Sequence, residues 1–232
     1  MAEDLVLLHG FGGGARSWER VVARLGGERY RPLAIDIPGE SLDSAVAGVL
    51  AAAPGAFTLC GYSMGGRIAL HVALAAPERV ARLILVATTA GIEDATERRQ
   101  RREADAALAD SIENWTIEQF ADHWQRQPLF AGTKSDVAEF WRADLLERDP
   151  KALAATLRAL GPGTPSPVWD RLGELAMPVT VIAGERDHKY LAIARRLAAA
   201  IPAADLRVVG DAGHGLPREA PAALATLIEG AA

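Results

Sequence analysis

Short, mainly apolar runs alternate along the chain with longer segments in which apolar residues recur every three or four positions. The short runs predict buried strands, and the longer segments, such as 42–53 and 191–200, predict helices. Strands spaced by helices indicate βαβ units, hence a mostly parallel sheet covered on both faces. The predicted strands are 5–8, 33–35, 57–60, 83–86, 179–183 and 206–209.

One interval breaks this alternation. From about residue 91 to residue 175 no run predicts a strand, whereas several amphipathic patterns rich in Glu, Arg, Trp and Ala predict helices. We predict a single domain, in which residues 1–91 and 175–232 form the α/β core and residues 92–174 form an inserted helical cap. The Gly- and Pro-rich stretch 161–167 is expected to be the last turn of this cap.

Composition narrows the function classes. The 232 residues are 50% hydrophobic, enough for one substantial core, and a net charge of −5 gives no reason to expect nucleic acid or an anionic membrane as partner. No apolar stretch approaches the ~18 residues of a membrane span, and the N-terminus lacks a signal-peptide pattern. The single cysteine, Cys60, lies in a predicted strand and fits a reducing compartment. We therefore expect a cytoplasmic protein.

The most specific motif follows the third predicted strand. Gly61-Tyr62-Ser63-Met64-Gly65 places a serine between two glycines where a strand turns sharply into a helix. In such a nucleophile elbow the serine backbone is strained and its hydroxyl exposed, so only very small residues fit two places before and after it. Taken alone, the motif also fits a glycine-rich turn with an incidental serine.

Partners for this serine occur in the expected chain order. A serine hydroxyl becomes reactive when an imidazole takes its proton and a carboxylate orients that imidazole. Asp187 follows the fifth predicted strand and His214 follows the sixth, which places both at strand carboxyl ends beside Ser63. We predict Ser63, Asp187 and His214 as catalytic residues, with Glu185 and Asp211 as rival acids.

A glycine-rich loop, residues 9–14, follows the first predicted strand. A developing oxyanion needs two backbone N–H donors, one from the residue after the serine and one from such a loop, which predicts Met64 and Phe11. The loop is also compatible with phosphate binding, but it lacks the G-x-G-x-x-G spacing and a P-loop lysine. We expect His9 to structure the loop rather than to take part in catalysis.

Arginines indicate the class of ligand. Arg67 lies four residues after Ser63, on the same predicted helix face, and Arg98, Arg101 and Arg102 share a face of a cap helix. Guanidinium groups hold carboxylates bidentately, so these arginines suggest a substrate with several carboxylates. The plainer interpretations are an ion pair for Arg67 and a solvated face for the others. No cluster of His, Cys and acidic residues has metal-ligand spacing, so we predict neither a metal nor another cofactor.

The elbow, the glycine loop and the triad order together resemble the α/β-hydrolase superfamily over essentially the whole chain. Within it, the chain resembles the 2-succinyl-6-hydroxy-2,4-cyclohexadiene-1-carboxylate synthases of menaquinone biosynthesis. Segment 124–130, from Trp124 to Phe130, is the most discriminating, because general esterases share the elbow but not this segment. The segments that carry the narrower resemblance are 61–67, 97–105, 124–130 and 184–190.

This resemblance implies an α/β-hydrolase fold, with a mostly parallel sheet flanked by helices and an inserted helical cap. It also implies a lyase that eliminates pyruvate from 2-succinyl-5-enolpyruvyl-6-hydroxy-3-cyclohexene-1-carboxylate. Ser63, activated by His214 and Asp187, would remove a proton next to the succinyl ketone, and the oxyanion hole would stabilise the enolate. The small anionic polycarboxylate substrate would be held by Tyr62, Arg67, Arg98, Arg101, Arg102 and Trp124.

Three features depart from the family pattern. Asp36-Ile37-Pro38-Gly39 continues into Glu40-Ser41 instead of His-Gly, the usual N-terminal hairpin is absent, and Leu145 stands where the family has a further cap arginine, with Arg142 and Arg148 nearby. Two other functions remain open: a carboxylesterase or thioesterase that uses a seryl acyl-enzyme, and a non-catalytic ligand-binding protein. The sequence does not define the oligomeric state.

Overall fold

A six-stranded parallel sheet forms the centre of the computed structural model, which describes residues 2–53 and 55–230. Met1, Pro54, Ala231 and Ala232, which belong to the predicted core ranges, lie outside the described residues. The spatial order of the strands is β2-β1-β3-β4-β5-β6. The strands are β1 (Glu3–Leu8), β2 (Tyr30–Ile35), β3 (Phe57–Tyr62), β4 (Val80–Val86), β5 (Val179–Gly184) and β6 (Ala204–Val209).

Helices flank this sheet, and within the described ranges none is long and apolar enough to cross a membrane. Short 3-10 turns occur at Ala15–Trp18, Pro77–Arg79, Pro128–Phe130 and Trp169–Glu174. The α-helices are α1 (Glu19–Val22), α2 (Leu42–Ala52), α3 (Met64–Ala75), α4 (Ala95–Glu113), α5 (Ile117–Gln125), α6 (Ser135–Leu146), α7 (Pro150–Leu160), α8 (His188–Ala200), α9 (Leu216–Glu219) and α10 (Pro221–Gly230).

Apolar residues of the strands are buried on both faces of the sheet. In β1, Val6 and Leu8 join the apolar cluster that includes α2 and α3, whereas Leu5 and Leu7 join the cluster that includes α10. A strand buried on both faces needs apolar residues at every position, which is why its sequence is an unbroken apolar run. The predicted fold class, a mostly parallel sheet flanked by helices, is confirmed.

Strand β2 begins at Tyr30, three residues before the predicted start at residue 33. Pro32 interrupts the pattern that identifies a strand, since proline has no N–H to donate to a ladder. Because β2 lies at the edge of the sheet and, among the described strands, pairs only with β1, it tolerates this loss.

Between β4 and β5 lies the helical insertion, which we define as residues 95–160 with helices α4 to α7. It has its own apolar cluster, in which Phe120, Trp141 and Leu157 are buried, and Phe11 of the glycine loop packs against this cluster. The part of the chain described between β4 and β5 contains no strand. The division into core and cap stays a prediction, but the insertion lies directly over the glycine loop.

The altered turn at Glu40-Ser41 starts helix α2. The Ser41 hydroxyl accepts a hydrogen bond from the Ser44 N–H, and the Ser44 hydroxyl accepts one from the Ser41 N–H, both at 3.0 Å. This reciprocal pair satisfies N–H groups that a helix start leaves free. The departure from the family sequence therefore has a local structural role as a helix cap.

Candidate active site

Ser63 occupies the sharp turn between β3 and α3. Its φ of 52° and ψ of −110° are strained for a residue with a side chain. Two contacts from the end of β4 and the segment after it hold this geometry: the Ser63 N–H donates to the Val86 carbonyl at 2.9 Å, and the Thr88 hydroxyl donates to the Ser63 carbonyl at 2.7 Å. A Cβ on Gly61 would collide with the backbone of Gly65, so the motif's glycines are sterically required.

The structure brings Ser63, His214 and Asp187 together. The Nε2 atom of His214 lies 3.1 Å from the Ser63 Oγ, and its Nδ1 atom lies 2.7 Å from the Asp187 Oδ2. The other Asp187 oxygen, Oδ1, accepts from the Tyr190 N–H at 3.2 Å, because Asp187 caps helix α8. Both His214 and Asp187 are buried, so the two hydrogen bonds hold the Asp187 carboxylate in place beside the imidazole. The arrangement suits proton transfer from the serine to the histidine.

The rival acids are engaged elsewhere. Glu185 accepts a hydrogen bond from the Asp211 N–H at 3.1 Å, and the Asp211 carboxylate lies 3.4 Å from the Arg186 Nε. Both side chains are exposed, and neither contacts His214. Asp187 is therefore the acid that the fold presents to the imidazole.

Two backbone N–H groups near Ser63 are free to donate hydrogen bonds to a negatively charged oxygen. Phe11 lies in the glycine loop and Met64 is the first residue of α3, and both line the same cavity as Ser63. Within residues 2–53 and 55–230, neither N–H has a protein acceptor. A helix N-terminus adds a partial positive charge at Met64.

His9 holds the glycine loop in place. Its Nε2 atom accepts from the Ile37 N–H at 3.1 Å, so Nδ1 carries the proton and donates to the Gly10 carbonyl at 2.8 Å. Burial lowers the pKa of His9, which favours this neutral form. Both ring nitrogens are thereby used in structure, which fixes the loop that carries the Phe11 N–H.

A cavity of about 470 Å³ separates the triad from the helical insertion, a size common for small-molecule sites. Aromatic rings form much of its wall on the insertion side. The Trp124 ring lies 5.0 Å from the Phe11 ring, and the Phe130 ring lies 5.9 Å from the His214 ring. The predicted site residues that line the cavity are Phe11, Tyr62, Ser63, Met64, Arg67, Arg101, Trp124 and His214.

Arg67 is a buried cation in this wall, 7% exposed. Its Nη2 donates to the Leu160 carbonyl at 2.7 Å, and no acidic side chain of the described residues pairs with it. Burial lowers the pKa of the guanidinium, because charge is costly away from water. The ion-pair interpretation of Arg67 is therefore wrong, and the cavity holds a positive charge that an anionic ligand would stabilise.

Only one of the three predicted cap arginines lines the cavity. Arg101 does so, whereas Arg98 and Arg102 do not. Arg98 donates to the Ile92 carbonyl at 3.0 Å and so fixes the segment before α4, and the backbone of Arg102 lies against Gly163. Helical spacing groups these side chains on one face but does not define which turn of α4 borders the cavity.

Leu145 occupies an apolar environment at the position where the family has a further cap arginine. Leu145 is buried in the cluster of the insertion. Arg142 pairs with Asp122, and Arg148 lies 3.1 Å from the Asp144 carboxylate. Neither neighbouring arginine lines the cavity in place of the missing one.

Several cavity residues were not assigned a role from the sequence. The Tyr190 ring lies 4.5 Å from the His214 ring, and Lys189, Phe130 and Arg218 also line the cavity. Lys189, Tyr190 and Phe130 belong to segments that carry the family resemblance, which was the available signal. Arg218 gave none, because its partners are distant in the chain.

Comparisons with known proteins identify the family to which this fold belongs. The model of the alpha/beta hydrolase family matches residues 5–227. A relative from Bacillus subtilis (strain 168), provisionally named 2-succinyl-6-hydroxy-2,4-cyclohexadiene-1-carboxylate synthase, is 37% identical over 70% of this chain and 61% of its own length. The synthase of that name from Enterobacter sp. (strain 638) is 33% identical over 97% of this chain and 89% of its own length.

Among solved structures, MenH from S. aureus superposes with a TM-score of 0.92 at 30% identity, covering 99% of this chain and 92% of that chain. A thermophilic esterase from Thermogutta terrifontis has a TM-score of 0.85 at 23% identity, covering 99% of this chain and 89% of that chain, and it shows the fold alone. The chain belongs to the alpha/beta hydrolase family, and within it is related to proteins named 2-succinyl-6-hydroxy-2,4-cyclohexadiene-1-carboxylate synthase.

Proposed function

We propose that this protein is the lyase that eliminates pyruvate from 2-succinyl-5-enolpyruvyl-6-hydroxy-3-cyclohexene-1-carboxylate, giving 2-succinyl-6-hydroxy-2,4-cyclohexadiene-1-carboxylate in menaquinone biosynthesis. The observation that carries the proposal is a serine, histidine and aspartate triad that opens into a cavity with the buried cation Arg67 in its wall. The relatives that bear the synthase name support it.

The charge of the cavity fits the proposed substrate. The substrate carries three carboxylates, on the ring, the succinyl group and the enolpyruvyl group. Arg67, Arg101 and Lys189 line the cavity, and guanidinium groups bind carboxylates with two parallel hydrogen bonds. A neutral acyl ester has no carboxylate for these cations to bind, so their presence favours the lyase over a general esterase.

The first step is removal of the ring proton at C2, next to the succinyl ketone. As the Ser63 Oγ takes this proton, it gives its own to the Nε2 atom of His214, and the Asp187 carboxylate stabilises the resulting imidazolium. The C–H electron pair moves into the ketone, which becomes an enolate. The free N–H groups of Phe11 and Met64 would stabilise the negative oxygen.

The second step breaks the bond between C5 and the enolpyruvyl oxygen. The enolate electron pair forms the C2–C3 double bond, the existing C3–C4 double bond shifts to C4–C5, and the oxygen leaves with the C–O pair. The His214 imidazolium returns its proton to the departing enolate, which tautomerises to pyruvate. The ring is left with the 2,4-diene of the product, and no acyl-enzyme forms.

An assay of the purified protein tests this proposal directly. We expect rapid pyruvate release from the enolpyruvyl substrate and slow hydrolysis of p-nitrophenyl acetate, because the cavity offers cations to a polycarboxylate. Hydrolysis of p-nitrophenyl acetate without release of pyruvate would contradict the lyase proposal and favour a carboxylesterase or thioesterase. Absence of both activities, with the substrate bound, would favour a non-catalytic binding protein.

Replacement of Arg67 by alanine is expected to lower kcat/KM for pyruvate release about 30-fold, equivalent to about 2 kcal/mol for a lost charged hydrogen bond. Hydrolysis of the neutral p-nitrophenyl acetate should change little. Arg102→Ala is the matched control, since Arg102 lies outside the cavity lining. Circular dichroism and thermal unfolding of each variant confirm that it is folded. A normal kcat/KM in Arg67→Ala would contradict a substrate-binding role.

A further inference from the structure

Asp105 is an acid in a cavity that we propose binds an anion. Its side chain lines the cavity on α4 and is only 4% exposed. A carboxylate at this place repels a polycarboxylate substrate, and its burial costs free energy unless the charge is compensated. Because the position is unfavourable for a carboxylate, we expect Asp105 to make an interaction that offsets this cost.

Asp105 accepts a hydrogen bond from Arg101. The Arg101 Nε donates to the Asp105 Oδ1 at 2.8 Å, across one turn of α4. Within the described ranges, the two η-nitrogens of Arg101 make no hydrogen bond to the protein. A guanidinium held through Nε keeps both η-nitrogens available for a second, bidentate partner.

The surroundings of Asp105 fix its position. Its Oδ2 atom is buried and lacks a partner among the residues described, and a Cβ on Gly161 would collide with it. Burial raises the pKa of the Asp105 carboxyl, and the Arg101 and Arg67 guanidinium groups oppose that rise. The carboxylate therefore lies where α4 meets the end of α7, in the positive field of Arg101 and Arg67.

The two arginines are anchored by different acceptors. Arg67 of α3 is held by the Leu160 carbonyl, and Arg101 of α4 is held by the Asp105 carboxylate. An arginine side chain that is already fixed loses less conformational entropy when a ligand binds. Two fixed guanidinium groups in one wall favour ligands whose carboxylates match their separation.

We propose that Asp105 is a positioning residue that fixes the Arg101 guanidinium so that its two η-nitrogens form a bidentate site for one substrate carboxylate. This inference rests on the proposed function. Among the described residues, Asp105 makes no hydrogen bond to Ser63, His214 or Asp187, and its effect on substrate passes through Arg101.

A double-mutant cycle tests this relation. Arg101→Ala and Asp105→Ala should each raise KM for pyruvate release about tenfold with little change in kcat, the order expected for one weakened charged contact. The double variant should be no worse than Arg101→Ala, because the two residues act through one contact. Asp105→Asn keeps an oxygen acceptor for the Arg101 Nε and should recover part of the loss. Arg102→Ala is the matched control.

Binding of succinate, measured by calorimetry, gives a second readout that needs no turnover. We expect the succinate affinities of the variants to rank as their KM values for pyruvate release do, with the weakest binding where KM is highest. Hydrolysis of p-nitrophenyl acetate should be unchanged in every variant. Additive losses, tighter succinate binding in Asp105→Ala, a parallel loss of ester hydrolysis, or no succinate binding by the wild type would overturn the positioning role. Absence of pyruvate release by the wild type would overturn the proposed function instead, and the succinate cycle would still decide the role of Asp105.

Discussion

The Ser63→Ala variant is expected to release pyruvate about 10² to 10⁴ times more slowly than the wild type, with KM nearly unchanged. The Ser63 Oγ lies 3.1 Å from the His214 Nε2 and is the oxygen that would take the ring proton in the proposed reaction. Its removal leaves the cavity cations and the free N–H groups in place, so binding should persist while proton transfer fails. Steady-state rates measured by coupled reduction of pyruvate check this expectation.

Two companion variants separate the roles within the triad. His214→Ala should lose a similar factor, and the double variant should lose little more, because groups that act as one unit are not additive. If Ser63→Ala retained pyruvate release while His214→Ala lost it, His214 itself would be the base and the assignment of Ser63 would be contradicted. Hydrolysis of p-nitrophenyl acetate, which needs a nucleophile, should be lost in both single variants.

The sheet and the elbow were predictable because their signals are local. A run of apolar residues followed by Gly61-Tyr62-Ser63-Met64-Gly65 defines a strand, a strained turn and a helix within a short stretch of sequence. The parallel sheet then brings the ends of β5 and β6 near Ser63, so that His214 reaches Ser63 and Asp187 reaches His214.

The cavity wall depended on long-range packing and was predicted less well. Spacing along α4 grouped Arg98 with Arg101, but only the position of the insertion over the sheet brings Arg101 to the cavity. The acceptor for Arg67 is the main-chain carbonyl of Leu160, and a carbonyl has no sequence signature. Interactions between residues far apart in the chain, such as Arg218 with Asp144, likewise leave no periodic pattern.

Asp144→Ala is expected to destabilise the protein by about 3–5 kcal/mol, the usual cost of breaking a buried ion pair from one side. Asp144 of α6 is 2% exposed and accepts from the Arg218 Nη2 at 2.8 Å, the Arg148 Nη2 at 3.1 Å and the Ser17 hydroxyl at 3.1 Å. Its removal leaves Arg218, 4% exposed, as an uncompensated buried cation whose Nε already lacks a partner among the described residues. Urea unfolding measures the loss.

The effect should exceed that of a partly exposed ion pair made by another residue of the same helix, Arg142. Arg142→Ala, which removes the partly exposed partner of Asp122, should cost less than about 1 kcal/mol. A double variant, Asp144→Leu with Arg218→Met, should recover much of the stability, because it removes both charges rather than one. An equal loss in Asp144→Ala and Arg142→Ala would contradict the argument. Because Asp144 joins α6 of the insertion to α9, which directly follows His214, its loss should also loosen the cover over the triad and lower kcat.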